Sequence, residues 1–421
     1  MKKAFLAALA ALSMTCAFAQ EDYNLNKVTP GIDDMAWTWW FGPQVVSVDH
    51  IRTKLWWGYT DSQGYAGVAE YDPTTAMFRK NALKKNGEFD DHNNSVVVTL
   101  PDGRVACIYA HGHETGPYIY IRTSKVIESI DGFNEPTIIK YDGTTTYIQY
   151  FFVAGKHYIF TRYKNGTYRW AYVCSEDFEH WSEPRDFISA TDTRYYIKLQ
   201  SVTDNPDIIR ITAYGHPTEG TDSNIRMGFI NLADGYIYDG DFKTRISALG
   251  ESFVYTDLSV AIPHPEKKVQ RLFDVARTPT AEYCVAFATF SPIVKYDSQY
   301  HIFKNGTTYD LCKGGEPFWL KSVYLGGISF IDAGRVVLSR NTGNDDNIEL
   351  WDWQKSNWKC SKTISSESTG PEHSFRNIRP IVDVNGKYLL WQRGYYNQKK
   401  HGFEYQLEAR IYDIANDRIV K

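Results

Sequence analysis

Asn-Gly dipeptides at 86, 165, 305 and 385 and Asp-Gly dipeptides at 102, 131, 142, 234 and 239 constrain this chain more than any other feature. Both pairs supply the positive φ that tight two-residue hairpins demand. Between them lie short runs of alternating apolar and polar residues, among them Lys54 to Tyr59, Gly67 to Tyr71, Ile119 to Thr123, Thr146 to Ala154, His157 to Tyr163, Tyr195 to Val202 and Ile208 to Ala213. Period-two alternation is the signature of half-buried strands, and no amphipathic helical stretch interrupts it. Roughly 20 to 28 short strands joined by hairpins, with no helices, predict an all-β fold of the β-propeller type. At about 50 to 57 residues per four-stranded blade, seven blades fit better than six or eight.

Composition agrees, with 30 Tyr, 22 Phe and 12 Trp for strands and 30 Gly for turns. The chain opens with Lys2 and Lys3, an apolar run from Ala4 to Leu12 and Ala17-Phe18-Ala19. That order predicts a signal peptide over 1–19 and an exported protein, periplasmic or secreted. A leader over 20–35 and a single propeller over 36–421 are expected to follow, and no later run is long and apolar enough to span a membrane. The net charge of −4, with no Lys/Arg-rich run, argues against nucleic acid as a partner. Beyond Cys16, the cysteines at 107, 174, 284, 312 and 360 form no metal-type cluster, and their odd number leaves at least one thiol unpaired. A monomer is expected.

One hairpin concentrates chemistry. Val96 to Leu100 and Val105 to Tyr109 flank a Pro-Asp-Gly turn, so Asp90-Asp91-His92-Asn93-Asn94 and His111-Gly112-His113 meet at one rim of a sheet. In the next hairpin, Tyr147 and Arg162 flank a turn near Gly155 and reach the same kind of rim. Tyr214-Gly215-His216-Pro217 with Arg226, and the stretch from His373 to Pro380 with Arg376, are further rim candidates for an anionic ligand. Ser175-Glu176-Asp177-Phe178-Glu179-His180-Trp181 resembles a degenerate Asp-box, a turn whose Asp caps backbone N–H groups while its Trp packs. The turn from Trp351 to Trp358 is comparable, and both are expected to be structural.

The stretches Trp39 to Pro43, Lys54 to Tyr59, Asp90 to Asn94, Leu100 to Arg104, Tyr109 to His113, Tyr324 to Ile328 and Val336 to Arg340 resemble the propeller polysaccharide lyases typified by ulvan lyases. That group lies among secreted proteins with bacterial-neuraminidase-type repeats. The resemblance implies β-elimination on an anionic, uronate-containing polysaccharide. It implies catalytic residues His92, His113 (or His111), Tyr147 and Arg162, with Arg162 and one His at the uronate carboxylate and Tyr147 and the other His as base and acid. Asn93, His111, His216, Arg226 and Arg376 are candidate substrate contacts. No cofactor is expected for the chemistry; a structural calcium or zinc occurs in some relatives, and no ligand cluster in the sequence places one.

Two other classes compete. A glycosidase needs two carboxylates about 5–9.5 Å apart, for which Asp90 or Asp91 with Asp33, Asp34, Glu114 or Glu251 are candidates. A glycan-binding propeller needs the aromatics and Arg but not the convergence of His92 with Tyr147.

Overall fold

The computed structural model describes residues 25–421, apart from 50, 52, 87–89, 190–193, 217–222, 292–297, 316–325, 344, 369–378, 400 and 401. The expected signal peptide and Arg376 lie outside the described residues.

Seven antiparallel sheets form a β-propeller, here blades I to VII in chain order. Their innermost strands are Val45–Asp49, Val96–Thr99, Thr144–Val153, Tyr195–Ser201, Val269–Val275, Gly327–Asp332 and Ile381–Val382. In each blade the four main strands run outward through successive hairpins, so those that follow one another in sequence are neighbours in space. Because every inner strand runs the same way, the inner strands begin at one face (the upper rim) and end at the other (the lower mouth). The only helical elements among the described residues are two 3-10 turns, Asp91–Asn93 and Tyr255–Asp257.

The turn dipeptides act as anticipated at most positions. Gly103, Gly143, Gly166, Gly235, Gly306 and Gly386 all have positive φ. At Asn305-Gly306 both residues do (φ 47 and 88), the conformation that makes a two-residue turn follow strand twist. Gly132 and Gly240 do not adopt positive φ, so their Asp-Gly pairs sit in other turns. The Asp-box relative is structural: Asp177 Oδ1 accepts from the N–H groups of Glu179 (2.9 Å) and His180 (2.8 Å). Trp181 packs on Phe178, ring centroids 5.4 Å apart.

Residues 27–30, placed in a leader by the sequence reading, form a fifth strand outside Met77–Lys85 in blade I, with Lys27 opposite Ala82. Residues 27–30 are largely exposed, whereas Ile32 and Met35 after them are fully buried. The five described cysteines are all free.

The axis is filled by Ala36-Trp37-Thr38-Trp39-Trp40-Phe41-Gly42-Pro43. Ala36 exchanges backbone hydrogen bonds with Thr60 of blade I, and Thr38 N–H donates to Asn94 Oδ1 ahead of blade II (3.2 Å). Gly42 N–H donates to Ile148 of blade III, and Trp40 stacks on Tyr196 of blade IV at 4.8 Å. Trp39 meets Phe273 of blade V at 5.9 Å and the Arg379 guanidinium, just before blade VII, at 4.2 Å. At Gly327 of blade VI a Cβ would lie 2.7 Å from Trp39 Nε1, so only glycine lets the indole seat there. This one segment therefore touches all seven blades. Blades VII and I close the ring without sharing a strand: Asp383 accepts from Ser47 Oγ, and Val384 N–H donates to Val45.

Candidate active site

Blades II and III build the site from their upper ends. Asp90 caps the 3-10 turn at 91–93, its Oδ1 accepting from the backbone N–H of His92 at 2.9 Å. The same Oδ1 lies 2.5 Å from His92 Nδ1, while Oδ2 lies 2.8 Å from His113 Nδ1. One buried carboxylate thus anchors two imidazoles, which stack with centroids 4.3 Å apart and planes 9° from parallel. With both Nδ1 atoms directed at Asp90, the Nε2 atoms form the outer edges of the pair, that of His113 lying 3.9 Å from Glu114 Oε1.

Burial by itself would depress His92, but the carboxylates of Asp90 and Asp91 outweigh it and raise its pKa to about 10. Burial would raise Asp90, and the two imidazoles instead hold it well below the usual carboxylate range. Asp91 is itself buried and ion-paired with buried Arg379, the same Arg that lies over Trp39. The axial plug and the site therefore share a cation.

Tyr147 lies against both imidazoles, 5.6 Å from His92 and 6.1 Å from His113. It occupies a bulge where pairing slips between Thr146 and Ile148, in a left-handed conformation (φ 55) that a β-branched or bulky residue seldom adopts. The bulge swings the ring inward, against Phe41 and Tyr196. Arg162, opposite Thr146 on the adjacent strand, places its guanidinium 4.4 Å from the Tyr147 ring and pairs with Glu114. Its Nε and NH1 have no hydrogen-bond partner among the described residues.

Tyr147 and Arg162 are each 1% exposed, whereas the side chains of His92, His113 and Glu114 are 13%, 23% and 19% exposed. The surface a ligand meets first is therefore the imidazole pair and Glu114.

Of the doublet, His113 meets His92. His111 turns outward to Tyr120, its Nδ1 3.1 Å from the phenol oxygen, and burial together with nearby Lys84 depresses it. Asn93 is buried beside the pair, and neither amide atom has a partner among the described residues. His216 packs on Tyr196 at 5.5 Å, one ring removed from Tyr147. Arg226 donates to the carbonyls of Thr256 and Leu258, an engagement on blade IV's third strand and away from the cluster. Sequence reasoning placed Arg379 with Arg376 beside a rim, as an acidic-sugar contact or a structural inter-blade pair, without foreseeing its pairing with Asp91; it did not single out Tyr196 or the anchoring role of Asp90. Glu114 appeared only as a glycosidase candidate.

Asp90, His92 and His113 also present donor atoms within 4.8 Å of one another, so a divalent cation can be held there. Two nitrogens and one carboxylate suit zinc better than calcium, which prefers oxygen ligands. In the structure the two imidazole Nδ1 atoms are already satisfied by Asp90.

No family model matches the chain, and no curated relative does. Solved structures do. An ulvan lyase from a new polysaccharide lyase family superposes with a TM-score of 0.65 at 12% identity, over 94% of this chain and 98% of that one. Its complex with -[GlcA(1-4)Rha3S]- gives a TM-score of 0.66 at 12% identity with the same coverage. The polysaccharide lyase Uly1 gives 0.56 at 9% identity, over 93% of this chain and 100% of that one. At such identities the likeness is one of fold, and it agrees with the seven-bladed propeller.

Proposed function

We propose that this protein is an exported polysaccharide lyase that cleaves a uronate-containing glycan, ulvan-like or of the rhamnose–glucuronate type, by β-elimination. The observation that carries the reading is the stacked His92–His113 pair on one carboxylate, set against Tyr147. Two stacked imidazoliums at this separation would repel, so one cation and one neutral ring is the favoured state. His92, held protonated by Asp90 and Asp91, neutralises the C6 carboxylate and makes the C5 proton acidic. His113 accepts that proton at Nε2. The C5–H electron pair becomes the C4–C5 double bond, the C4–O4 bond breaks, and Tyr147 gives its phenolic proton to O4. Arg162, behind the Tyr147 ring, stabilises the phenolate left after transfer. This differs from the direct carboxylate contact that the resemblance implies for Arg162, and it follows from the burial of the guanidinium. Tyr147 is as buried as Arg162, so productive binding requires its side chain to adjust as substrate seats against the imidazoles.

A glycosidase reading finds less support. Asp33 pairs with Lys421 and Asp34 accepts from Ser62, both away from the cluster. Asp90 is occupied by two imidazoles and Glu114 by Arg162. Export rests on the signal-peptide pattern at residues 1–19, and no described helix is long and apolar enough to cross a membrane.

The test is incubation with ulvan, glucuronan, rhamnose–glucuronate gums, pectins and glycosaminoglycans. A lyase generates unsaturated uronic ends that absorb in the ultraviolet. New reducing ends without that absorbance would replace the reading with hydrolysis, and binding without either would leave a glycan-binding module.

A further inference from the structure

The plug divides the axis into two funnels. Below it, where the inner strands end, lies a cavity of about 550 Å³ with Trp39 and Phe41 in its floor. That volume is within the ~300–1,000 Å³ of ordinary ligand sites. It lies on the far side of Trp39–Phe41 from the imidazole pair, and none of His92, His113, Tyr147 or Arg162 lines it.

The charges around this lower mouth can be sorted by what already engages them. Asp274 receives Lys198 (3.4 Å) and the N–H of Phe330 (2.9 Å). Asp332 receives Arg335 and the N–H of Gly334, both at 2.8 Å. Asp383 receives Ser47 and the N–H groups of Asn385, Lys387 and Tyr388. Lys198 is held by Asp274 and by the Trp39 carbonyl. Every carboxylate is thus satisfied from within the fold. Arg277 lines the same cavity, is exposed, and has no ion-pair or hydrogen-bond partner among the described residues. Gln200 and Ser201, half-buried on the neighbouring inner strand, also have no side-chain hydrogen-bond partner there. On the rim, Phe152 is 51% exposed, its ring supported by His157 at 4.6 Å.

From this pattern we propose that the lower mouth is a second, non-catalytic saccharide site that takes a carboxylated sugar. The Arg277 fork would receive the carboxylate, Gln200 and Ser201 would bond hydroxyls, and the Phe152 face would stack on the ring. A guanidinium with no internal anion, beside an unpaired amide and hydroxyl and a supported exposed ring, is a set of groups that the fold does not itself use. The choice of an acidic sugar rests on the lyase reading. Under that reading the propeller holds its polymer at both ends of the axis, so that chain cut at the upper rim stays tethered below.

The experiment uses His92→Ala protein, which keeps its ligand uncut, titrated calorimetrically with a uronate-containing tetrasaccharide prepared by acid hydrolysis. Two binding events are expected, and Arg277→Ala in that background should weaken one roughly 10-fold or more while leaving the other unchanged. Phe152→Ala should weaken the same event, and either variant in the otherwise native chain should retain turnover of short oligosaccharides. If the binding isotherm of a folded Arg277→Ala, Phe152→Ala double variant matches its parent, the lower site is wrong and the lyase reading stands. If native protein neither cleaves nor binds any uronate glycan, the lyase reading fails and takes this proposal with it.

Discussion

Asp90→Asn is the substitution that most directly probes the site. It keeps the shape of the cap but removes the charge shared by His92 and His113, and one side of an asparagine amide cannot accept a hydrogen bond. In the native protein His92 is raised from 6.5 to about 10. At about 1.4 kcal/mol per unit, that shift is a preference of roughly 5 kcal/mol for the protonated ring. Asp91 supplies a smaller part of it and remains, tied to Arg379. With Asp90 neutral, the His92 midpoint should fall toward that of an ordinary imidazole. The effect also has a pH signature. A raised imidazole pKa contributes stability that is complete below 6.5 and is lost as pH climbs toward 10, so native protein should become easier to unfold across that window. The depressed pKa of Asp90 reports the same interaction and is not a second increment. The assay is an NMR titration of the histidine ring resonances of both proteins, with urea unfolding at pH 6.5 and 9.5. Asp90→Asn should titrate lower and show a flatter stability profile. A His92 midpoint near 6.5 in native protein, or one unmoved by the substitution, would refute the electrostatic argument and with it the neutralising role of His92.

Tyr147→Phe should lower turnover about 10²–10⁴-fold, as expected for loss of one proton-transfer group, while changing unfolding free energy by no more than about 1.5 kcal/mol. Retention of near-native kcat would remove Tyr147 from the mechanism. Glu114→Gln leaves the buried Arg162 without its anion, so urea unfolding should show a loss of roughly 2–3 kcal/mol; a change within about 0.5 kcal/mol would mean that Arg162 is compensated elsewhere. Trp40→Ala empties the space among Tyr147, Tyr196 and Tyr214 and should destabilise by about 3–5 kcal/mol while also disordering the ring set behind the imidazoles, read as matched losses in near-ultraviolet dichroism and turnover.

The inner parts of the blades were legible because one face of each strand is buried and turn chemistry is local. Val96–Thr99 and Val105–Ala110 pair Thr99 with Val105 across the Pro-Asp-Gly turn as the alternation implied. Outer strands were harder: Asn357–Ser368 is largely solvent-facing and polar, so it carries little alternation to read. Lys27–Pro30 is exposed in the same way, and only its pairing with Met77–Lys85 makes it a strand. At the site, hairpin geometry delivered His92 and Tyr147 to one rim from sequence alone. Spacing could not separate His111 from His113, because the choice depends on which ring Asp90 can reach. The inward turn of Tyr147 depends on a bulge that period-two reasoning does not foresee. Arg379 reaches Asp91 from the far end of the chain, a contact no local pattern encodes.

The filled axis has a kinetic consequence. Residues 36–43 are synthesised ahead of the four main strands of blade I and of every later blade, yet their partners include Arg379 and Gln392, separated from Trp37 by 342 and 355 positions. Loop closure over such spans is slow, and contacts of this range lie late on a folding route. Until the last blade is in place, three tryptophans and a phenylalanine remain without most of their burial, an exposed apolar stretch in a growing chain. Completion of the ring and burial of this stretch are then one event, so the protein should fold as a single cooperative unit and not blade by blade. Refolding should accordingly show Trp fluorescence and far-ultraviolet dichroism reaching their native values together in one slow phase.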